Sequence, residues 1–463
     1  MQSEDRQSPP VNRLILQIVV SLACFSAAVM NSGINIALPS IGREFGMDAV
    51  MLSWVVMAFL LANTVVVLPL GRVADIVGRK RIFLIGLAIF CVFNIACGLA
   101  PTGSLLISAR VFLGVGSAIV LGTSMAILTS AFPAQERGKV LGINIAVTYS
   151  GLTIGPLLGG VLTQMLGWRS IFYLGAILAV ISFILGLWKI RQEWAEARGE
   201  SLDFAGMLLY MLAVVAMLYG FSNLPQLTGI ILTLGGIAAV AVFIFWETKA
   251  KFPLLHLDLF RRSLSFSMSN LAALFTYVAT LGAGLLLALY LQYIKGFSPS
   301  IAGLIMISQP AIMAALSPFT GSLSDRVEPR LVASIGMGLL TAGIAMLIFI
   351  NAGTSITYVI ISMLVTGAGF GLFTSPNTNA IMSSVDKKFY GVATGTLATI
   401  RTLGQTTSLA ITTILFALFI GKEEIMPQNY AQFLQSMHVA MIIFAALCCL
   451  GIFASLTRGR VQR

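Results

Sequence analysis

The chain reads as a succession of long apolar runs separated by short polar or charged breaks. Fourteen runs can be drawn, at 14–39, 51–70, 82–100, 104–131, 140–166, 170–189, 203–223, 229–247, 266–293, 301–322, 331–350, 355–382, 389–420 and 434–457. Each is about 20 residues or longer, the length a helix needs to cross the hydrocarbon core of a bilayer. A membrane barrel would instead show alternating segments of about 10 residues, and these runs do not alternate. An all-α integral membrane protein with 14 transmembrane helices is expected. One internal correspondence divides the chain. Gly71-Arg72-Val73-Ala74-Asp75 and Gly321-Ser322-Leu323-Ser324-Asp325 share the spacing Gly-x-x-x-Asp, are each followed by basic residues and lie 250 positions apart. Each follows the second helix of a six-helix set, the mark of a parallel repeat around a central pathway. The expected organisation is a tail at 1–13, a six-helix bundle at 14–190, a linker with an inserted two-helix hairpin at 191–262, a second six-helix bundle at 263–457 and a tail at 458–463. The charged stretches 189–203 and 247–262 that bound the hairpin read as cytoplasmic linkers.

Composition agrees with a bilayer as solvent. Hydrophobic residues make up 58% and charged residues 10%, against roughly 45–50% and about 25% in soluble domains, and the mean hydropathy is +0.95. Charge placement sets orientation. Of the 28 Lys and Arg, Arg43, Arg169, Lys295 and Lys422 fall on the side away from the termini, Arg110 and Arg401 lie within runs, and the other 22 lie on the side of the N-terminus. The positive-inside rule then puts both termini in the cytoplasm, as an even number of spans requires, with the protein in the plasma (cytoplasmic) membrane. The net charge of +11 is thus a topology signal, and no basic face exists to bind nucleic acid. With a polar start from Met1 to Pro10 and a first run long enough to span, no cleavable signal peptide is expected. All five cysteines sit inside apolar runs without metal-ligand spacing, so neither a metal nor redox chemistry is expected. His256 and His438 are isolated and receive no role. The absence of Gly-x-x-x-x-Gly-Lys-Ser/Thr excludes an ATP-driven pump. No catalytic constellation or cofactor site is present, so an enzyme is not expected.

Several motifs resemble those of the major facilitator superfamily, specifically its 14-helix drug:proton antiporter branch. Gly71-Arg72-Val73-Ala74-Asp75-Ile76-Val77-Gly78-Arg79-Lys80-Arg81 is similar to the superfamily's loop between the second and third helices. The resemblance implies that Gly71 lets the helix end turn, that Asp75 accepts hydrogen bonds from the N-terminus of a helix in the opposite half, and that Arg79 and Arg81 bridge nearby acids. Together these would form a latch across the cytoplasmic gate, with Asp325 and Arg326 as the second-half counterpart. Gly151-Leu152-Thr153-Ile154-Gly155-Pro156-Leu157-Leu158-Gly159-Gly160 is similar to the Gly-Pro-x-x-Gly-Gly element of exporting members. Glycines four apart leave a groove that a neighbouring helix can approach, and Pro156 frees a backbone bond. Arg110 with Gly114 and Gly116 resembles the fourth-helix Arg-x-x-x-Gly-x-Gly signature. Arg401 matches a position that is commonly Arg in this branch. An arginine in a span must face the bundle interior or a watery cavity, so Arg110 and Arg401 are the intramembrane charges that could serve coupling. Trp168-Arg169-Ser170-Ile171-Phe172, Asp203-Phe204-Ala205-Gly206 and Phe373-Thr374-Ser375-Pro376-Asn377 resemble further family elements.

One departure cuts against that pattern. The first helix of these antiporters usually carries Asp-x-Thr-x-x-Asn-x-Ala-Leu-Pro, and here Met30 stands in the place of the acid in Met30-Asn31-Ser32-Gly33-Ile34-Asn35-Ile36-Ala37-Leu38-Pro39. None of the 17 acids falls deep inside an apolar run. Burial raises a carboxyl's pKa into the working range of a proton carrier, so coupling here would need a gate acid, His438 or titration of the substrate itself. Polar side chains inside the runs outline a neutral, amphipathic cavity, with Asn31, Asn35, Tyr149, Tyr277, Gln309 and Asn377 as the candidates for substrate contact. The expectation is a monomeric secondary transporter in membrane lipid that exports amphipathic or hydrophobic small molecules by alternating access, in antiport with protons. The alternatives are a uniporter or an exporter of a neutral or anionic metabolite that lacks a buried proton carrier, and a transporter-derived receptor.

Overall fold

The computed structural model describes residues 12–250, 253–255, 257–385 and 390–459. The helices are α1 (Arg13–Phe45), α2 (Ala49–Val77), α3 (Arg79–Gly98), α4 (Gly103–Ala131), α5 (Ala134–Leu166), α6 (Arg169–Lys189), α7 (Phe204–Ser222), α8 (Leu227–Glu247), the short α9 (Leu257–Arg262), α10 (Leu264–Leu289), α11 (Pro299–Met306), α12 (Ser308–Arg326), α13 (Pro329–Leu347), α14 (Ile356–Ser383), α15 (Tyr390–Phe419) and α16 (Tyr430–Thr457). Among the described residues 14 helical segments are long and apolar enough to cross a membrane, with α11 and the start of α12 counting as one. His256 lies outside the described residues.

Caps and glycines place the helix ends. The side chains of Asp48, Asp203, Ser298 and Ser355 accept the backbone N–H of Met51, Gly206, Ile301 and Tyr358, each satisfying a donor that the first turn leaves open. α1 runs on to Phe45 and α2 to Val77, past the apolar runs that end at 39 and 70. Hydropathy marks only the part of a helix that sits in hydrocarbon, and these two continue through Pro39 and Pro69 until Gly46, at φ +57°, and Gly78, at φ +132°, turn the chain. The run 301–322 forms two helices that meet at Ile307. Pro310 has no N–H to offer the Met306 carbonyl, so the ladder is interrupted there.

The packing repeats. In the first bundle α1 packs on α5 and α6, α4 on α2 and α3, and α3 on α6. In the second, α10 packs on α15 and α16, α14 on α12 and α13, and α13 on α16. The same pairings thus recur with α10 to α16 in place of α1 to α6, and the hairpin α7–α8 lies outside both sets, packed on α2 and α15. Tyr210 anchors it, its hydroxyl donating to the Thr64 carbonyl at 2.9 Å. The bundles meet along two seams, α2 with α15 and α5 with α11 and α12.

Candidate functional site: translocation path and gate

With an even number of spans both chain ends lie on one face. The gate loop between α2 and α3 is on this terminal face. Gly78 suits its place twice over, because its φ of +132° disfavours any side chain and an added Cβ would sit 2.6 Å from the Glu193 carboxyl carbon. Glu193 accepts the backbone N–H of Lys80 at 2.8 Å and of Arg81 at 3.2 Å, so a carboxylate caps the positive end of α3. Arg79 is buried, and its guanidinium donates to Asp75 at 2.8 Å and to both oxygens of Glu196 at 2.8 and 3.1 Å. Arg79 also bonds the Ser130 hydroxyl, and Arg72 pairs with Glu200. Arg81, largely exposed, approaches Glu193 at 3.8 Å. Backbone bonds complete the attachment, Arg79 N–H to the Trp194 carbonyl at 2.8 Å and Ala197 N–H to the Asp75 carbonyl at 3.0 Å. The stretch 191–200, read from the sequence as a linker, is therefore a strap docked on the gate loop, with Trp194 and Ala197 buried beneath it. Burial alone would raise the Glu196 carboxyl, but Ser130, Arg79 and Arg137 outweigh it and hold it below the ordinary carboxylate value. Among the described residues the side-chain partner of Asp75 is Arg79, within its own bundle; the expected donor from the opposite half is not engaged in this conformation. Gly71 lies in the last turns of α2 with open space around it, so the turn is made at Gly78 instead. Asp325 and Arg326 lie at the end of α12, and their side chains are outside the described residues.

At the opposite, far face the bundles are closed against each other. Every described hydrogen bond between them lies toward that face or near mid-depth: Ala49 N–H to the Glu423 carbonyl (3.0 Å), Gln292 to the Ile36 carbonyl (3.0 Å), Ser300 N–H to Gln164 (3.3 Å), Ser53 with Thr413 (2.8 Å), Thr413 to the Met57 sulfur (3.7 Å), Thr64 with Thr406 (2.9 Å) and Thr153 to the Pro310 carbonyl (3.4 Å). The glycine motif of α5 serves two contacts at once. Gly151, Gly155 and Gly159, four apart, face α1, where added Cβ atoms would strike Phe25, Ser32 and Gly33. Pro156 and Gly160 face α11 of the other bundle, where Gly303 rests on the Pro156 carbonyl and Gly160 on Pro299. Such approach needs residues without side chains, as in other membrane helix seams. Trp168 and Arg169 tie α6 to the end of α1 through Glu44, at 2.7 and 2.6 Å.

The candidate substrate residues divide into two groups. Tyr277 is buried on α10, with the Arg401 guanidinium 5.7 Å above its ring and Phe370 edge-on at 5.8 Å. Tyr149, half-buried on α5 of the other bundle, is an electrostatic neighbour of Tyr277. Gln309, on α12, and Asn31, on α1, are likewise half-buried, and the side-chain oxygens of Asn31 and Asn35 are buried without a hydrogen-bond partner. Asn377 behaves differently. Its oxygen accepts Arg458 at 2.9 Å and its NH2 donates to the Ser269 carbonyl at 3.1 Å, which commits it to the fold of the second bundle. Arg458, the first residue of the expected tail, is 1% exposed and also donates to the Pro329 carbonyl at 2.8 Å. Burial and then Arg330 pull its pKa down to about 10, opposed by Glu328, so it is still charged at neutral pH. Neither the strap nor this corner was read from the sequence.

Arg110 is fully buried in the first bundle. Its Nε donates to the Val55 carbonyl at 2.8 Å and its guanidinium lies 4.6 Å above the Phe59 ring, while its two terminal nitrogens have no hydrogen-bond partner. Met30, 0% exposed, packs where Gly175 and Asn94 meet. Among the described residues the single buried acid is Glu247, at the base of the hairpin. No group of three or more metal-ligating side chains occurs among the described residues.

The sequence profile of the Major Facilitator Superfamily matches residues 20–205 and 269–462, leaving out the hairpin. The riboflavin transporter RibZ of Clostridioides difficile (strain 630) is 29% identical over 95% of this chain and 96% of its own. The multidrug resistance protein Stp of Mycobacterium tuberculosis (strain CDC 1551 / Oshkosh) is 33% identical over 86% of this chain and 75% of its own. In fold, the crystal structure of the peptide transporter POT in complex with alafosfalin superposes with a TM-score of 0.69 at 14% identity, covering 96% of this chain and 94% of that one. A repeated six-helix packing, a gate loop and glycine-lined seams of this kind, with a profile match over both bundles, place the chain in one family: it belongs to the major facilitator superfamily, as a multi-pass membrane transporter of the 14-helix drug-transporter branch.

Proposed function

We propose that the protein is a secondary transporter that exports amphipathic or hydrophobic small molecules by alternating access, in antiport with protons. The observation that carries this reading is the one-sided closure of the bundles. Hydrogen bonds and glycine contacts join them toward the far face, and Asp75 and Arg79 at the terminal face are paired within one bundle. In this reading the termini are cytoplasmic, the protein works as a monomer in the plasma membrane, and the conformation is open to the cytoplasm. The segments 14–190 and 263–457 are the moving halves. The loop residues Gly71, Asp75, Arg79 and Arg81, with Asp325 and Arg326, form the cytoplasmic gate. The motif Gly151, Gly155, Pro156, Gly159 and Gly160 forms the rocking seam. Likeness to the multidrug resistance protein Stp and the riboflavin transporter RibZ supports small-molecule transport. The test is proteoliposome efflux of a lipophilic dye panel with and without an imposed pH gradient, followed with an internal pH indicator. Dye movement tied to opposite proton movement is expected. If no member of the panel moves under any gradient, the reading fails.

A second reading has its own observation. The core bundles hold two arginines in their spans, Arg110 and Arg401, while the buried acid, Glu247, sits at the hairpin base and Met30 occupies the usual place of the carrier. Uniport or export of a neutral or anionic metabolite fits that charge balance, as does likeness to a riboflavin transporter. Dye movement without proton flux in the same experiment selects it.

A further inference from the structure

A guanidinium in a membrane span stays charged and calls for an opposing charge or a dense set of acceptors. Arg401 lies near the middle of α15, half-buried, and no carboxylate among the described residues is paired with it. What it meets is aromatic. The Tyr277 ring lies 5.7 Å from its guanidinium carbon, and the Cβ of Tyr277 is fixed against Gly404, one turn along α15 from Arg401. Phe370 of α14 abuts the same ring edge-on. Tyr149, on α5 of the other bundle, is an electrostatic neighbour of Tyr277 and stands one turn before Thr153, whose hydroxyl reaches the Pro310 carbonyl across the seam. The cluster is therefore built from α10, α14 and α15 of the second bundle with Tyr149 of the first nearby, and Arg401 lies on the terminal-face side of the Thr64–Thr406 contact between the bundles. The other cation in the core spans, Arg110, adds to the positive field, and the buried acid Glu247 is on a helix outside both bundles.

Resting on the export reading above, we infer that this cluster is the substrate site and that it selects aromatic anions. A planar ring system stacks against Tyr277 and Phe370, its carboxylate or other oxyanion takes the donor fork of Arg401, and Tyr149 offers its hydroxyl from the opposite bundle. The ligand supplies the negative charge that no described residue places beside Arg401. Because the site draws on both bundles, ligand binding bridges the halves that must rock. A lipophilic cation meets an unbalanced arginine here and is disfavoured.

The test uses the purified full-length chain and three probes of similar size: fluorescein as aromatic anion, Nile red as neutral ring and ethidium as aromatic cation. Fluorescence polarisation should show wild type binding fluorescein in preference to ethidium. Arg401→Gln should weaken fluorescein binding by about 10- to 100-fold, the worth of a charge-assisted hydrogen bond, and invert the preference. Arg401→Lys, which keeps the charge, should retain part of the affinity. Arg262→Gln on the exposed surface of α9 is the control for charge removal and should leave fluorescein binding unchanged. Equal affinity of wild type for ethidium and fluorescein, or undiminished fluorescein binding by Arg401→Gln, overturns the site. Proteoliposome flux separates the two readings. Arg401-dependent fluorescein binding without flux defeats export and leaves the site standing, whereas flux indifferent to probe charge defeats the site and leaves export standing.

Discussion

Gly159 and Gly160 are neighbours in sequence with opposite loyalties, and a single methyl on each tells them apart. An alanine Cβ at position 160 would lie 3.0 Å from the Pro299 carbonyl carbon and 3.1 Å from Ser300 Cα, and closer still to the Pro299 oxygen. Ordinary contact begins at 3.4 Å, and the obstacle is backbone, which cannot swing aside as a side chain can. The bundles must part at the far face, so Gly160→Ala penalises one conformation of the cycle. Overpacking of this kind costs about 1–3 kcal/mol, a shift of roughly 5- to 150-fold in the conformational equilibrium away from far-face closure. Gly159→Ala makes a similar clash, 2.8 Å from Gly33 Cα, but inside the first bundle. It should lower the stability of that bundle in every conformation and leave the equilibrium alone. The assay is labelling of a cysteine placed at Thr413, which is 0% exposed and bonded to Ser53 across the closed seam, in a background without the five native cysteines. A membrane-impermeant maleimide applied at the far face should react faster in Gly160→Ala, in proportion to the opening, while Gly159→Ala labels at the parental rate with a lower unfolding temperature. Parental labelling in Gly160→Ala, or the same response from both variants, would refute the assignment of the two faces.

Three further outcomes are expected. Asp75→Asn removes the charge opposite Arg79 without removing packing, and should cut turnover by about fivefold or more, equivalent to about 1 kcal/mol, at near-normal expression; unchanged turnover would show that the pair has no part in the cycle. The Glu196 carboxyl is held below its ordinary value in the folded protein, so its contribution to strap docking is complete above the unfolded carboxylate range and is lost as pH falls through the lower folded value. Emission of the buried Trp194, taken as the difference from Trp194→Phe, should accordingly shift to the red on acidification below about pH 4.5, and a spectrum indifferent to acid would contradict the docking geometry. Arg458→Ala strands the Asn377 oxygen and the Pro329 carbonyl. It should destabilise the protein by about 1.5–3 kcal/mol, read as an earlier thermal transition in detergent, and a transition unmoved from wild type would assign Arg458 to the tail after all.

Hydrophobic runs revealed the helices because crossing a bilayer demands an uninterrupted apolar segment, and few other folds tolerate one. Where helices continue past the hydrocarbon, as α1 does to Phe45 and α2 to Val77, that signal ends before the helix does. The α5 glycines were legible as a seam, since four-residue spacing puts them on one face, yet only the packed fold reveals that Gly160 faces the opposite bundle. The strap was hidden in a stretch whose charges looked like a solvated linker. Its trace is there in retrospect: Trp194 and Ala197 are three apart on the inner side, and Glu193, Glu196 and Glu200 are spaced to meet the bases of the gate loop. Arg458 left no such trace, because a basic residue just beyond a terminal span is what topology alone would place there. Its capture of Asn377 took away a residue whose polarity within a span had suggested substrate.

The hairpin lies over one of the two seams between the bundles. It packs on α2 and α15 and is pinned by Tyr210 to the Thr64 carbonyl, while among the described residues no corresponding pair of helices overlies α5 and α11. A bundle pair that is symmetric inside is thus lopsided toward its lipid. Widening along α2 and α15 must drag α7 along or break its anchor, whereas α5 and α11 can separate directly into the acyl chains. For a molecule already dissolved in the bilayer, the two flanks of this protein are a wall and a door.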